Sequence, residues 1–207
     1  SAPSSAKRKA HKENDETGTG SETEMSDANA SRQEQFSGTK DVADSHKFDE
    51  KRLEEYMAAH VEGFEGPLTV KQFKGGQSNP TYQLVTPKRK YVLRRKPPGK
   101  LLPSAHAVDR EYKVITALHG VGFPAPRTWC LCEDDSVIGT MFYVMDFIEG
   151  RVFKDPALPG LPAADRGRVF ETATRTLASL HRVDWRAVGL EDYGKSKDYI
   201  ARQIRRW

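Results

Sequence analysis

The sequence predicts an α+β fold in which an antiparallel sheet of about five strands, with one helix against it, leads into a second, helical lobe. Three observations carry this. Three short segments rich in strand formers are separated by glycine- and proline-bearing turns; a helical-period stretch follows them; and beyond two more apolar strands a long segment places its apolar residues on one helical face.

The chain has 207 residues, 37% of them hydrophobic, and a mean hydropathy of -0.70. Much of the polarity is at the front. Residues 1–47 contain Phe36 as their one aromatic residue and no sustained period, so they cannot bury enough apolar surface to offset chain entropy and are expected to be disordered. Order is expected from Phe48. Leu53, Tyr56, Met57, His60 and Val61 recur at helical intervals and suit a short helix ended around Gly63.

Strands are expected at Thr69 to Phe73, Thr81 to Val85 and Tyr91 to Arg95, the first two joined by a glycine-rich stretch and the next two by a basic turn, Pro87 to Lys90. Pro97, Pro98 and Gly99 end this segment. A helix from about Ala105 to His119 carries Val108, Tyr112, Ile115 and Leu118 on one side, with Gly120 as its stop. Arg127 to Cys132 reads as a fourth strand, Asp134 to Ser136 as a turn, and the apolar run Thr140 to Ile148 as a central fifth strand. Arg151 to Pro162 suits a crossing loop. From Ala163 or Asp165 to Arg182 a helix presents Val169, Ala173, Leu177 and Leu180, and Asp198 to Trp207 begins another. The domains are therefore expected as a tail over 1–47, a small lobe and hinge over 48–150, and the start of a helical lobe over 151–207, which ends inside a helical pattern.

Charge separates the tail from the rest. Residues 1–48 hold 7 Lys/Arg against 9 Asp/Glu, whereas the remainder holds 26 against 20. A basic domain suits phosphate-bearing ligands, nucleic acid or simply a solvated surface. Few aromatic residues alternate with Lys88, Arg89, Lys90, Arg94, Arg95 and Lys96, so nucleic acid is not expected as a partner. Neither a signal peptide nor a membrane-length apolar stretch is present; no membrane partner and a cytoplasmic location are expected. Cys130 and Cys132 are expected to point to opposite faces of a strand, which argues against a disulfide, and the scattered histidines give no metal-ligand spacing.

Candidate chemistry lies in the small lobe. In Gly75, Gly76, Gln77, Ser78, Asn79 and Pro80 the glycines let backbone amides approach a ligand, which suits phosphate; by itself such a stretch serves equally as a turn. No Gly-Lys-Ser/Thr closes it as in a nucleotide-triphosphatase P-loop. Period-two alternation sends Tyr91, Leu93 and Arg95 to one face of the third strand and Val92, Arg94 and Lys96 to the other, making Arg94 the cation best placed to reach over the sheet. Glu111 on the next helix can hold that cation as an ion pair, with Asp109 and Arg110 as surface alternatives. Met145 and Phe147 offer apolar contact or plain core packing.

The run Phe73 to Tyr82 (FKGGQSNPTY), with YVLRRKPPG at Tyr91, DREY at Asp109, GFPAP at Gly122, FYVMDFIEG at Phe142 and ASLHRVD at Ala178, resembles the aminoglycoside phosphotransferase-like family. The resemblance is nearest the kinase-like N-terminal region of some unusual acyl-CoA dehydrogenases, and covers roughly Phe48 to Trp207. It implies a protein-kinase-like fold with a five-stranded small lobe and the beginning of the large lobe. It further implies a nucleotide partner, with Gly75, Gly76, Gln77, Ser78 and Asn79 over the phosphates and Arg94 in the place usually taken by the small-lobe lysine. Glu111 is then the partner of Arg94, and the backbone of Val144, Met145, Asp146 and Phe147 lies at the adenine edge. For the complete enzyme it implies ATP, magnesium and a small hydroxylated acceptor. The family's catalytic and magnesium-binding aspartates are implied beyond the helix that ends near Asp184. His181, Asp184 and Asp192 do not match them, so this chain is expected to be a truncated, inactive portion that binds Mg-ATP or ADP weakly or not at all. A non-catalytic nucleotide- or partner-binding module is the alternative.

Overall fold

The computed structural model describes residues 37–75, 79–99, 106–153, 155–194 and 198–206. Six antiparallel strands form one sheet: β1 Thr39–Lys40, β2 Thr69–Phe73, β3 Thr81–Val85, β4 Lys90–Arg95, β5 Thr128–Cys132 and β6 Phe142–Asp146. Their order is β1-β2-β3-β4-β6-β5. The helices are α1 Glu50–His60, α2 Val108–Gly120, α3 Asp135–Ile138, α4 Ala163–His181 and α5 Tyr199–Arg206. An α+β antiparallel sheet followed by helices is the expected kinase-like arrangement, with one strand more than the sequence suggested.

That extra strand comes from the segment read as tail. Thr39 pairs with Phe73 and Lys40 with Gln72, while the Lys74 amide donates to the Gly38 carbonyl at 3.1 Å. Two residues show no period in sequence; an otherwise unpaired β2 edge is what makes them a strand. The Asp44–His46 turn of 3-10 helix follows. Residues 1–36 lie outside the described residues.

The core sits between the sheet and α1. Leu53 and Met57 of α1 are fully buried with Tyr82, Leu84, Tyr91, Leu93, Phe142 and Val144, and Val70 is nearly so. Each such side chain contributes about 1.5–3 kcal/mol of burial. Asp49 caps α1 by accepting from the Arg52 amide at 3.0 Å. The sequence anticipated one helix against the sheet; α1 and α2 in fact cover opposite faces, α2 packing on β5 and β6.

Cys130 and Cys132 are both buried, both free, and both in this one core. The expectation that they point to opposite faces is corrected: residues two apart on a strand share a face. Asp134 and Asp135, read as a turn, begin the single helical turn α3, which Asp134 caps through the Ser136 amide at 2.8 Å and Gly139 closes at φ +86°.

Helix α4 buries none of its residues; Phe170 and Leu177 are each more than half exposed. Ile200 and Ile204 on α5 are likewise exposed. Among the described residues no helix is long and apolar enough to cross a membrane.

Candidate nucleotide site

The strand alternation separates two adjacent cations. Arg95 turns into the α1 side and is 2% exposed, while Arg94 turns to the α2 side, as expected, with 29% of its side chain exposed. There Arg94 meets Glu111 in the first turn of α2. Its Nε donates to Glu111 Oε2 at 2.9 Å and its Nη2 to Oε1 at 3.2 Å, a two-bond fork. Planar guanidinium and carboxylate groups match in this way, which fixes direction as well as charge.

Tyr143 and Thr81, which the sequence reading did not single out, complete the cluster together with Asn79, which it did. Tyr143, paired across the sheet with Arg94, donates its hydroxyl to Glu111 Oε2 at 3.1 Å. Burial, then the Glu111 carboxylate, pushes that phenol well above its ordinary value, with Arg94 partly opposing, so Tyr143 stays a neutral donor. Asn79, 6% exposed, donates Nδ2 to Glu111 Oε1 at 3.0 Å, and Thr81 takes a long 3.4 Å bond from Arg94 Nη1. Tyr143 could have been found from the strand order, since β4 beside β6 puts it opposite Arg94. His106, whose ring lies 2.8 Å from Asn79, carries no periodic signal.

The other anticipated positions divide. Gly75 and Asn79 flank Gly76, Gln77 and Ser78, which lie outside the described residues. Val144 points into the core opposite Leu93, so only its backbone is available to a ligand. Met145 pairs with Val92 and lies on the Arg94 side. The Asp146 carboxylate accepts from Trp129 Nε1 at 2.8 Å and its amide donates to the Arg127 carbonyl at 2.8 Å, so both are already engaged. Phe147 lies parallel to Phe73 with centroids 6.4 Å apart, and Lys90 Nζ stands 5.4 Å over its ring. Phe73 ends β2 at the foot of the glycine-rich loop, and Phe147 follows β6, so two flat apolar faces meet beside the end of β6.

The donors suit phosphate: a partly exposed guanidinium is already held in place next to the loop's root. No group of three or more His, Cys, Asp or Glu placed to hold a metal ion occurs among the described residues, so no ligand is assigned to magnesium.

Residues 69–207 match the model of the phosphotransferase enzyme family. The chain is 46% identical over 171 residues to acyl-CoA dehydrogenase family member 11 of Homo sapiens, covering 81% of this chain and 22% of that protein. With acyl-CoA dehydrogenase family member 10 of Mus musculus the identity is 44%, over 76% of this chain and 14% of the relative. In the crystal structure of a protein from Ralstonia eutropha JMP134, named as a candidate aminoglycoside phosphotransferase, 49% identity and a TM-score of 0.68 extend over 78% of this chain and 46% of that one. The chain thus spans about a fifth of the length of the family member 11 relative and under half of the solved one.

Proposed function

We propose, from the premise that this chain belongs to the phosphotransferase enzyme family, that its folded part is the nucleotide-binding side of an ATP-dependent phosphotransferase acting on a small hydroxylated molecule. The two-bond pairing of Arg94 with Glu111, beside the root of the glycine-rich loop, is the observation that carries this reading. A guanidinium ordered in advance meets phosphate without a further ordering cost, and phosphoryl transfer depends on such positioning and charge neutralisation.

Within this reading Arg94 faces the phosphates, and the loop from Gly75 through Gly76, Gln77 and Ser78 to Asn79 lies over them. The backbone from Val144 to Phe147 borders the adenine edge, with the Met145 and Phe147 side chains as its apolar contacts and those of Val144 and Asp146 turned elsewhere. ATP, when bound, supplies the transferable phosphoryl group. The sequence contains no His-Gly-Asp segment, and neither a catalytic residue nor a magnesium ligand is assigned within the 207 residues.

Calorimetric titration of the 207-residue chain with Mg-ATP, beside Arg94→Ala, tests the reading. Weak saturable binding that vanishes in the variant is expected. A folded wild-type chain that shows no saturable heat at millimolar nucleotide overturns it, and equal binding by the variant removes Arg94 from its role.

A further inference from the structure

Asn79 ends the glycine-rich loop, and both polar atoms of its buried amide are engaged. Nδ2 donates to Glu111 Oε1 at 3.0 Å, and Oδ1 lies 2.8 Å from His106 Nδ1. The Glu111 contact settles which way the amide faces. An ionised carboxylate only accepts, so it must meet the NH2 group, leaving the amide oxygen toward His106. That oxygen also only accepts, so Nδ1 of His106 must carry a proton. Any neutral form of the ring in this arrangement is therefore the Nδ1–H tautomer.

His106 holds this position at a conformational cost. Its φ of +58° lies in the left-handed region, which a residue with a Cβ enters only when its surroundings demand it. The Val108 amide donates to the His106 carbonyl at 2.9 Å, placing the strained residue at the entrance to α2, only a short way before Glu111. The backbone turn at α2's entrance therefore directs the imidazole back to the loop's end.

We propose that His106 is a positioning residue for the phosphate-binding loop: its Nδ1–H holds the Asn79 amide, and Asn79 joins the loop's C-terminal root to Glu111 and so to Arg94. The consequence for ligand binding rests on the nucleotide reading above; the hydrogen-bond chain itself does not. His106→Ala leaves Asn79 Oδ1 buried without its donor, freeing the amide to turn and the loop's end to drift from Arg94. The effect falls on ligands that carry phosphate, since adenosine reaches the hinge and not the loop. His106→Asn offers one N–H donor on a side chain of similar reach, and asparagine tolerates positive φ better than most residues.

Two measurements on the full 207-residue chain test this. Long-range proton–nitrogen correlation spectra followed through a pH titration should show the neutral form of His106 protonated on Nδ1; a neutral Nε2–H tautomer overturns the proposal. Chemical-shift titrations with ADP and with adenosine should show His106→Ala weakening ADP by about tenfold while adenosine changes by less than about twofold, with His106→Asn recovering most of the loss. A folded alanine variant that binds ADP as wild type does, or an asparagine variant as impaired as alanine, also overturns it. Failure of the wild-type chain to bind either ligand overturns the nucleotide reading instead, and the tautomer still decides whether the clamp exists.

Discussion

The guanidinium of Arg95 and the carbonyl of His46, 49 positions apart in sequence, meet at 3.2 Å beneath the sheet. Arg95 also donates Nη1 to the Ile138 carbonyl at 3.2 Å, and its cation lies 5.1 Å from the Phe48 ring centroid and 5.6 Å from that of Tyr82. One buried side chain thus joins the segment before α1, the sheet and α3. Its charge is met by carbonyl dipoles and aromatic faces, and its Nε has no hydrogen-bond partner among the described residues.

Replacing Arg95 by alanine should lower unfolding free energy by about 2–4 kcal/mol, through a cavity, an Ile138 carbonyl that loses its donor and a His46 carbonyl left with the Tyr82 hydroxyl alone. Arg95→Met keeps most of the volume and should cost clearly less. Urea unfolding of the three chains decides it: an alanine variant within about 0.5 kcal/mol of wild type rules out a stabilising clamp.

Glu111 accepts four hydrogen bonds, two from Arg94 and one each from Asn79 and Tyr143. A carboxylate has about four lone-pair sites, so every one is used. Glu111→Gln must turn an NH2 group toward donors at one of the two positions, and no rotamer avoids it. The cluster is about one-third exposed, which tempers the penalty to about 1–2 kcal/mol. Nucleotide binding should fall together with stability in this variant. Arg94→Ala, by contrast, should remove nucleotide binding at a smaller stability cost, and parallel urea and titration series separate the two cases.

How much of this was legible in the sequence depends on the range of each interaction. Alternation along β4 is local, so it sent Arg94 and Arg95 to their correct sides, and helical spacing located α2 with Glu111 on it. Strand register is not local. Tyr143 reaches Glu111 because β4 lies beside β6, an adjacency between segments about fifty residues apart that no short pattern encodes. Thr39 and Lys40 become a strand only against the edge of β2, and His106 points at Asn79 through one left-handed residue. The opposite-face reading of Cys130 and Cys132 failed for a different reason: the period of two, applied correctly to Tyr91, Leu93 and Arg95, puts these two cysteines on one face as well.

That shared face has a chemical consequence for Cys130. Burial first, then the nearby Cys132, push its thiol from 9.0 up to about 12, while a hydrogen bond from the Val144 amide pulls the other way. In the unfolded chain the thiol ionises near its ordinary value, so between about pH 9 and pH 12 the unfolded state gives up a proton that the folded state keeps. This contribution to stability is complete below pH 9 and is lost as the pH rises toward 12, at up to about 1.4 kcal/mol per pH unit. Tyr82, Tyr91 and Tyr143, all raised above 10.0 chiefly by burial, add the same sign of dependence one unit higher. Cys130→Val should therefore flatten the decline between about pH 9 and 10 and leave the steeper tyrosine-driven fall above it. Urea unfolding across that interval reads the difference directly, and slopes that match in the two chains would show that Cys130 already ionises in the folded state. Alkylation offers an independent view: iodoacetamide at about pH 9 should spare Cys130 in the native chain and modify it once urea opens the core.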